Sequence, residues 1–530
     1  MPENFYRNTK NGVFIFTVLF SILTISLSGQ TAQGYVYEDL NQNSIKDANE
    51  KGIAKVAVSN GVDVVLTDSK GKYSLPISDD NIIFVIKPTG YTFPVNEYQQ
   101  PQSYYIHKPK GSPKTFYTGV KPTPEMPESL DFAMMSHEEK DNYKILVFGD
   151  PQPYTLTQVD YFRRGVVAEL AGTKDYEFGI SLGDLVGDRL GLFYPYLYSI
   201  AQVGLPWYHV YGNHDMNYDV EEDHLADETF ESVFGPANYS FNYGKVHYLI
   251  MDDVLYPDPR DGKGYWGGFR PDQIEFMKND LKHVPKDYLV VVNFHIPLIE
   301  PDGGDYFRDE DRIALFDMLK SFSNTLSMSA HSHLQSHEFY GEEDGWKGKG
   351  IHHHYNVGTT SGDWYSGTLD EEGIPNAMMR DGTPKGYAEL EIKGNQYSFD
   401  YKVVGKDWDH KMYIHLPKIV PHNVSYRGDI VVNFFQGTSK DSLFFRVDGG
   451  EWEPMQYKLM SDPALSKTHF DWDYSYTLPS GRRPSFPVPS THIWRARITN
   501  KLPVGEHKVD VKAVDFMGRS YIQSSSYIIK

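Results

Sequence analysis

Five short polar segments, each directly after an apolar run typical of a strand, constrain the fold of this chain more than any other feature of its sequence. They occupy residues 149–152, 183–188, 212–215, 293–295 and 330–333. In α/β proteins, functional side chains usually lie where a sheet strand gives way to a loop. One such segment would be an ordinary turn, because Asp after a strand most often caps a helix or stabilises a turn. Five in order instead predict an α/β domain with one shared site at its strand ends.

These segments supply side chains of the types that bind divalent cations. They are Asp150, Gln152, Asp184, Asn213, His295, His331 and His333. A mixed set of carboxylate, amide and imidazole ligands can hold two cations without fully neutralising them. Cleavage of a phosphoester needs hydroxide near neutral pH and neutralisation of the charge on the phosphoryl oxygens. A cation pair supplies both. The set therefore predicts a phosphoester hydrolase that uses a hydroxide activated by two metals.

In their order, the segments resemble the calcineurin-like metallophosphoesterase family, whose motifs run Asp-x-His, Gly-Asp-x-x-Asp, Gly-Asn-His-Asp/Glu, His and Gly-His-x-His. The resemblance covers residues 144–393 and implies a four-layer α/β/β/α domain with two divalent or trivalent cations, Mn, Fe or Zn. It implies a first ligand group of Asp150, Gln152, Asp184 and His333. It implies a second ligand group of Asp184, Asn213, His295 and His331, so that Asp184 bridges the two cations.

By the same resemblance, His214 is the acid that protonates the leaving oxygen or steadies the phosphoryl group. Its neighbour Asn213 is expected on a metal, which aims the His214 ring into the site. A carboxylate, Asp188 or Asp215, is expected to hold the tautomer of that ring. Removing His214 should therefore reduce turnover more than metal content.

Two positions depart from the family motifs. Gln152 stands in place of the first motif's histidine, and Ala330 in place of the last motif's glycine. A glutamine oxygen can coordinate, but it is a harder donor than imidazole and favours Mn or Fe over Zn. Some branches of the family resemble this chain in carrying Asp-Pro-Gln, so the departure does not imply lost activity. The alternative is a surface binding protein that keeps the fold with weak or no catalysis.

Two stretches beyond the motifs carry residues that could contribute to a site. His352, His353 and His354 cannot act as a compact triad, because alternation in a strand sends His353 to the opposite face from its neighbours. We interpret them as structural or pocket-wall residues. In the following loop, residues 358–364, Thr360 and Trp364 are the candidates for contacting substrate, since glycine neighbours allow close backbone approach and Trp offers a stacking face.

The remainder of the chain predicts two all-β sandwich domains around the α/β domain. Residues 31–136 contain short strand-like runs and strong turn signals, and the pattern around Gly71 resembles transthyretin-like, carboxypeptidase-regulatory modules. Alternating strand and helix patterns fill residues 140–406. Residues 407–530 return to short strands, and their end resembles immunoglobulin or fibronectin-III sandwiches. The sandwiches are candidates for glycan or surface contacts.

Within the first of these domains, oxygen donors follow the spacing of a calcium-binding loop. At loop positions 1, 3, 5, 9 and 12 stand Asp39, Asn41, Asn43, Asp47 and Glu50. Against this interpretation, Ser44 occupies the place where the sharp turn requires Gly, and no helix-forming pattern flanks the loop. A structural Ca²⁺ site and a plain polar turn are both compatible with the sequence.

The N-terminus has the layout of a secretory signal peptide. Arg7 and Lys10 precede the apolar residues 13–27, and Ser26 and Ser28 mark a cleavage site that would remove residues 1–28. The alternative is an uncleaved anchor, although the run is shorter than the roughly 20 residues of a membrane span. We therefore expect an exported protein, periplasmic or secreted, with no stable membrane span after cleavage.

Charge and cysteine content exclude several other functions. The formal net charge is −20, from 51 basic and 71 acidic residues, so long-range repulsion disfavours a nucleic-acid polymer as partner. Cysteine is absent, which excludes disulfides, thiolate ligands and a cysteine nucleophile. The expected partner is a phosphoester substrate, whose class these residues leave open.

Overall fold

The computed structural model describes residues 30–299 and 304–530 of the chain. The predicted signal peptide, residues 1–28, lies outside the described residues. Within the two described ranges, the longest α-helices have 11 residues, and none combines the length and apolar character that crossing a bilayer requires.

The N-terminal region, up to residue 136, forms two four-stranded sheets. Its strands are β1 (Gln30–Glu38), β2 (Ala57–Ser59), β3 (Val64–Leu66), β4 (Lys72–Ile77), β5 (Asn81–Ile86), β6 (Tyr91–Thr92), β7 (Tyr104–His107) and β8 (Phe132–Ser136). One sheet has the order β4-β1-β8-β6 and the other β3-β2-β5-β7. Buried residues of both sheets, including Val36, Val58 and Phe132, form a single apolar cluster.

Strand β5 is buried on both of its faces. Ile83 and Val85 belong to the core of the N-terminal sheets, whereas Phe84 and Ile86 belong to the large core of the central region. The rings of Phe84 and Phe276 lie 5.7 Å apart in an edge-to-face arrangement. A strand with two buried faces requires an uninterrupted apolar run, which this strand has. The N-terminal region therefore packs directly on the central one.

The central region alternates strands and helices. Its helices are α1 (Leu156–Phe162), α2 (Ala168–Leu170), α3 (Phe193–Ile200), α4 (Glu228–Phe234), α5 (Pro271–Leu281) and α6 (Asp309–Leu319). A π-helical turn covers Arg163–Val167, and 3₁₀ turns cover Leu190–Leu192, Ala201–Val203, Asp223–Leu225 and Glu342–Asp344. Its strands are β9 (Asn142–Phe148), β10 (Gly179–Leu182), β11 (Trp207–Val210), β12 (Tyr239–Tyr243), β13 (Val246–Ile250), β14 (Val254–Leu255), β15 (Trp266–Gly267), β16 (Leu289–Asn293), β17 (Asn324–Ser329), β18 (Ser336–Tyr340), β19 (His352–Asn356), β20 (Gly367–Thr368), β21 (Gly386–Lys393) and β22 (Gln396–Val403).

Two large sheets organise the central region. One has the order β11-β10-β9-β21-β22 and the other β12-β13-β16-β17-β19-β18. Strands β9, β10 and β11 run parallel to one another, as do β13, β16, β17 and β19. Fully buried residues of both sheets, among them Ile180, Tyr248 and Leu326, form one apolar cluster. Because parallel strands end on the same edge, each sheet brings several of the polar segments together.

The C-terminal region forms two further sheets around its own core. Its elements are β23 (Met412–His415), β24 (Ile419–Val420), β25 (Asp429–Phe434), β26 (Ser442–Val447), β27 (Glu453–Pro454), β28 (Gln456–Tyr457), α7 (Pro463–Asp473), β29 (Gly481–Arg482), β30 (Ile493–Arg497), β31 (Gly505–Val514) and β32 (Ser520–Ile529). The sheet orders are β23-β25-β30-β28 and β24-β32-β31-β26-β27. Strand β29 pairs instead with β20 of the central region, with Arg482 opposite Gly367.

Helix α7 corrects the prediction that the C-terminal region is all-β. Asp462 caps this helix, accepting hydrogen bonds from the N–H groups of Ala464 and Leu465 at 2.8 and 2.9 Å. Pro463 follows at the first helical position, where its missing N–H costs nothing. The Asp-Pro pair is thus a helix start that outweighs the surrounding strand-like pattern.

Candidate metal centre

The predicted ligands lie just beyond the carboxyl ends of five parallel strands. Asp150 and Gln152 follow β9, Asp184 follows β10, Asn213 follows β11, His295 follows β16, and His331 and His333 follow β17. The first three of these strands belong to one sheet and the last two to the other. The site therefore lies where the ends of the two sheets face each other.

The second ligand group is held together by short contacts centred on His295. Its Nε2 atom lies 3.2 Å from Asp184 Oδ1, 3.1 Å from Asn213 Oδ1 and 3.3 Å from His331 Nδ1. The other ring nitrogen, Nδ1, lies 2.7 Å from the carbonyl oxygen of Leu182, and this contact directs Nε2 toward the group. Ligand atoms of Asp184, His295 and His331 all lie within 4.8 Å of one another. The arrangement is therefore that of ligands around a common point.

Asp184 also reaches the first ligand group. Its Oδ2 atom accepts a hydrogen bond from Gln152 Nε2 at 2.9 Å, while its Oδ1 atom faces His295. In the same group, Asp150 Oδ1 lies 3.8 Å from His333 Nε2, and Asp150 accepts from the backbone N–H of His331 at 3.1 Å. The two oxygens of Asp184 thus face the two groups, as a bridging carboxylate requires.

The donor set fits cations on two further observations. The buried Oε1 atom of Gln152 has no hydrogen-bond partner among the described residues, so the amide oxygen at this departure from the family motif is free to coordinate. The ring nitrogens of His295 and His331 approach to 3.3 Å, a distance at which two lone pairs need a proton or a cation between them. Carboxylates, amides and imidazoles are side chains that coordinate divalent metal ions.

His333 has a partner that the sequence did not reveal. Its Nδ1 atom lies 2.7 Å from Asp363 Oδ1, and both side chains are buried. A carboxylate on the second ring nitrogen fixes the tautomer and orientation of a ligating histidine. Asp363 stands in a loop of Gly, Ser and Thr residues, thirty positions further along the chain, so only the fold reveals the pairing.

The backbone at the site is strained at several ligand positions. Six site residues other than glycine have positive φ angles, between 37° and 66°: Asp150, Gln152, Asp184, Asp188, His331 and His333. Residues with a Cβ atom seldom adopt this region, and such conformations cluster at functional sites because the surrounding structure must hold them there. The residues with strained backbone are therefore among those whose side chains form the site.

Burial and charge perturb the pKa values of the site residues. Burial raises the pKa of Asp150 to about 6. Burial opposes a charge on His295, but the neighbouring Asp184 carboxylate outweighs it and raises the pKa of His295 to about 10. At His331, burial and the nearby His295 lower the pKa to about 3. A neutral His331 ring keeps the lone pair that cation binding uses.

His214 is oriented by Asp188. Its Nδ1 atom lies 2.6 Å from Asp188 Oδ1, which also accepts from the Tyr218 hydroxyl at 2.5 Å. The Nε2 atom of His214 is 3.9 Å from Asp184 Oδ2. Burial opposes a charge on this ring, yet the carboxylates of Asp184 and Asp188 outweigh it and raise the pKa of His214 to about 9. The ring is therefore held beside Asp184, with Nε2 toward that carboxylate.

Asp188 and Asp215 were the two candidates for orienting the His214 ring. Asp215 does not have this role. Its buried carboxylate accepts hydrogen bonds from the backbone N–H groups of Leu185, Val186 and Gly212, each at 3.1 Å. These bonds tie the segment after β10 to the segment after β11. Asp215 therefore supports the loops that carry Asp184 and Asn213 rather than the reacting groups.

The two candidates for substrate contact differ in their surroundings. Thr360 is fully buried, and its hydroxyl donates to the carbonyl oxygen of Gly149 at 3.1 Å, so it holds the loop in place and is not available to a substrate. Trp364 is partly exposed, and its ring centroid lies 5.0 Å from that of His333. Trp364 therefore forms a wall of the site.

The histidines of β19 lie away from the predicted ligands and alternate between the faces of the sheet. His352 and His354 contact the hydroxyl of Ser327 at 2.9 and 2.8 Å. His353 instead contacts His337 and the Tyr397 hydroxyl, both at 3.0 Å. All three rings are buried and hydrogen-bonded, which agrees with a structural role.

The candidate calcium loop closes on itself through hydrogen bonds. Asp47 accepts from the side-chain amides of Asn41 and Asn43 at 2.8 and 3.2 Å. The carboxylate of Asp39 accepts from the N–H of Ser44 at 2.8 Å, and that of Glu50 from the N–H of Asp47 at 3.0 Å. Calcium binding at this loop stays a prediction.

Comparisons with known proteins match three consecutive parts of the chain to one family. Residues 143–335 match calcineurin-like phosphoesterase, residues 40–121 match the N-terminal part described for calcineurin-like phosphoesterase, and residues 354–521 match its C-terminal part. No curated protein matches the chain.

Likeness to solved structures is weak. A purple acid phosphatase from yellow lupin (Lupinus luteus) seeds is 11% identical, with 67% of this chain and 69% of that chain covered and a TM-score of 0.37. A superoxide reductase (neelaredoxin) from Ignicoccus hospitalis is 10% identical, with 23% and 81% covered and a TM-score of 0.13. A putative superoxide reductase from Thermotoga maritima is 14% identical, with 24% and 92% covered and a TM-score of 0.14. From the three consecutive family matches, the chain belongs to the calcineurin-like phosphoesterase family of metal-dependent hydrolases.

Proposed function

We propose that this protein is an exported phosphoester hydrolase, acting on monoesters or diesters, with two metal ions bridged by Asp184. The observation that carries the proposal is the position of the two Asp184 oxygens, one 3.2 Å from His295 Nε2 and the other 2.9 Å from Gln152 Nε2. The proposal includes a four-layer α/β/β/α catalytic domain between two mainly β accessory domains. The apolar cluster shared by the two large sheets supports that arrangement.

Each side chain of the site has a task in this reaction. When bound, two divalent cations would lower the pKa of water and neutralise the phosphoryl oxygens. Asp150, Gln152, Asp184 and His333 would hold one cation, and Asp184, Asn213, His295 and His331 the other. Asp363 and the Leu182 carbonyl fix the ring orientations of His333 and His295, which keeps the ligands preorganised.

His214 is the proposed proton donor to the leaving oxygen. Asp188 occupies its Nδ1 atom at 2.6 Å, so the Nε2 atom is the one that can carry a proton toward substrate. The side chain is about a quarter exposed, and this opening lets a leaving group reach the ring. A general acid in this position typically contributes about 100- to 10,000-fold to the rate.

Metal analysis and two chromogenic substrates test the proposal. The mature chain, dialysed and then loaded with Mn²⁺, Fe or Zn²⁺, should retain two metal ions per molecule and hydrolyse p-nitrophenyl phosphate or bis-p-nitrophenyl phosphate. The ratio of the two rates assigns monoester or diester preference. If the protein binds no metal and shows no turnover with any of these ions, the proposal is contradicted, and a binding protein that keeps the fold is favoured.

Export is tested separately, by sequencing the N-terminus of the protein recovered outside the bacterial cytoplasm. We expect a mature chain that begins at residue 29. Recovery of the uncleaved chain in the membrane fraction would instead identify an anchor.

A further inference from the structure

Most arginines of the described residues are paired with carboxylates, and three of the four exceptions lie at the candidate metal centre. Among the described residues, those that make no ion pair are Arg189, Arg380, Arg427 and Arg482. Three of the four contact segments of the site.

Each of these three guanidinium groups donates to a backbone carbonyl at the edge of the site. Arg380 donates to the carbonyl oxygen of Ser332, between His331 and His333, at 2.8 Å. Arg482 donates to the carbonyl oxygen of Trp364 at 3.1 Å, and Arg189 to that of Tyr154 at 3.3 Å. A carbonyl fixes a guanidinium in place without cancelling its charge, so the positive charge remains available to a ligand.

Arg482 has the geometry of a residue that contacts a ligand bound at the metals. It is exposed, and the pairing of β29 with β20 holds its backbone against the central region. Its guanidinium lies 5.9 Å from the centre of the Trp364 ring, and the same indole lies 5.0 Å from the ring of the candidate ligand His333. Arg482 and a member of the first ligand group are therefore both neighbours of Trp364.

Tyr154 is a second aromatic residue at the site. Its ring lies 6.0 Å from that of His214. The charge of Arg482 acts on the Tyr154 hydroxyl, where it opposes the rise in pKa that burial and the acidic residues Asp188 and Asp184 cause. The charge of Arg482 is therefore close enough to act on Tyr154, whose ring lies beside His214.

We propose that Arg482, supplied by the C-terminal region, binds a second anionic group of the substrate, so that the preferred substrates are phosphoesters with another phosphate or a carboxylate. This inference rests on the proposed function, because the first phosphoryl group occupies the metal centre. Arginine binds phosphate and carboxylate through two parallel hydrogen bonds. With Nη1 on the Trp364 carbonyl, the remaining N–H groups of Arg482 make no other hydrogen bond to the described residues and can bind such a partner.

Binding of small phosphonates to the metal-loaded protein tests the inference. Methylphosphonate carries one anionic group, methylenediphosphonate adds a second phosphonate, and phosphonoacetate adds a carboxylate. Calorimetric titration should give a preference for the two doubly anionic compounds over methylphosphonate in the wild type. In Arg482→Gln we expect about a tenfold loss of that preference, with methylphosphonate binding unchanged.

Two further variants make the result specific. Arg482→Lys should recover part of the preference, because it restores the charge but not the paired hydrogen bonds. Arg427→Gln removes the unpaired arginine that lies outside the site and should leave the preference intact. A preference that is the same in Arg482→Gln and in the wild type would overturn the inference. The tighter of the two doubly anionic compounds identifies the second group as phosphate or carboxylate.

The failure of this inference is distinguishable from failure of the proposed function. The comparison measures binding, so it does not depend on turnover. Wild-type protein that hydrolyses p-nitrophenyl phosphate while Arg482→Gln keeps the full preference contradicts the inference alone. Absence of bound metal and of turnover in the wild type contradicts the proposed function instead.

Discussion

His214 contacts the carboxylate of Asp188 at 2.6 Å, and its Nε2 atom stays 3.9 Å from Asp184. A residue that donates a proton but holds no cation should be removable without loss of metal. We expect His214→Ala to lower kcat for p-nitrophenyl phosphate by about 100- to 10,000-fold and to leave metal content unchanged. His422→Ala, at an exposed histidine, is the control for both measurements. A His214→Ala protein that loses metal would mean that the ring is a ligand.

The position of Asp184 between the two ligand groups leads to a prediction about metal stoichiometry. Because its two oxygens face the two ligand groups, Asp184→Asn should reduce binding of both cations, whereas His333→Ala should release only one. Metal analysis after dialysis should therefore give close to zero ions per chain for the first variant and close to one for the second. Equal stoichiometry in both variants would show that Asp184 serves a single cation.

At the scale of residues, the sequence predicts donor types better than their partners. The ordered motifs identify the seven candidate ligands, which do lie together. They do not show which of Asp188 and Asp215 contacts the His214 ring, since both are acidic residues of the motifs. Only the fold decides which carboxylate faces the ring and which faces backbone N–H groups. Likewise, only the fold shows that Asp363, thirty positions further along the chain, contacts His333.

At the scale of elements, a ladder of hydroxyl and imidazole groups joins β17 to β19. The hydroxyl of Ser327 contacts His352 Nε2 at 2.9 Å and His354 Nδ1 at 2.8 Å. Replacing Ser327 by Ala leaves two buried ring nitrogens without that partner. We expect a loss of about 1–3 kcal/mol in the free energy of unfolding, measured by urea denaturation. Ser74→Ala, at an exposed position of β4, should change it by less than about 0.5 kcal/mol.

Burial of the same histidines predicts a dependence of stability on pH. Burial lowers the pKa of His354 well below its ordinary value of 6.5, so the folded state keeps this ring neutral while the unfolded state takes up a proton. The free energy of unfolding therefore falls as pH falls below about 6.5. His354→Gln lacks this term, so its deficit relative to wild type should shrink by about 1 kcal/mol between pH 6.5 and 5.5. Urea denaturation at both pH values measures it, and an unchanged deficit would mean that His354 takes up a proton as readily in the folded state as in the unfolded state.

Two strands show that local sequence patterns do not predict contacts between regions of the chain. The apolar run of β5 is compatible with any buried strand. It does not predict that Phe84 and Ile86 pack in the core of the central region and not in the N-terminal core. Strand β29 has only two residues, too few for a periodic signal. Its pairing with β20 depends on contacts between distant parts of the chain. Both elements join regions, and contacts between regions are the ones that local periodicity does not encode.

At the scale of the whole molecule, the N-terminal and central regions are joined by a buried ion pair. Lys108 Nζ lies 2.5 Å from Glu228 Oε1, and the two side chains are 5% and 0% exposed. Two residues further along, Lys110 pairs with Asp79 at 2.7 Å, but those side chains are 82% and 54% exposed. The two lysines thus form a matched pair, one buried between regions and the other on the surface.

Removing the buried cation should destabilise the whole molecule, because Glu228 would be left charged and without compensation away from water. We expect Lys108→Met to lower the free energy of unfolding by about 3–5 kcal/mol, and Lys110→Met by about 0–1 kcal/mol, both measured by urea denaturation. The double variant Lys108→Met with Glu228→Gln should recover part of the loss, since it removes the nearest charge while Asp80 and Glu231, 3.1 and 3.9 Å from Lys108 Nζ, remain. If Lys108→Met and Lys110→Met were equally stable, the contact between the regions would contribute no more than a surface ion pair. The N-terminal region would then be held to the central one by apolar contacts such as that of Phe84 with Phe276.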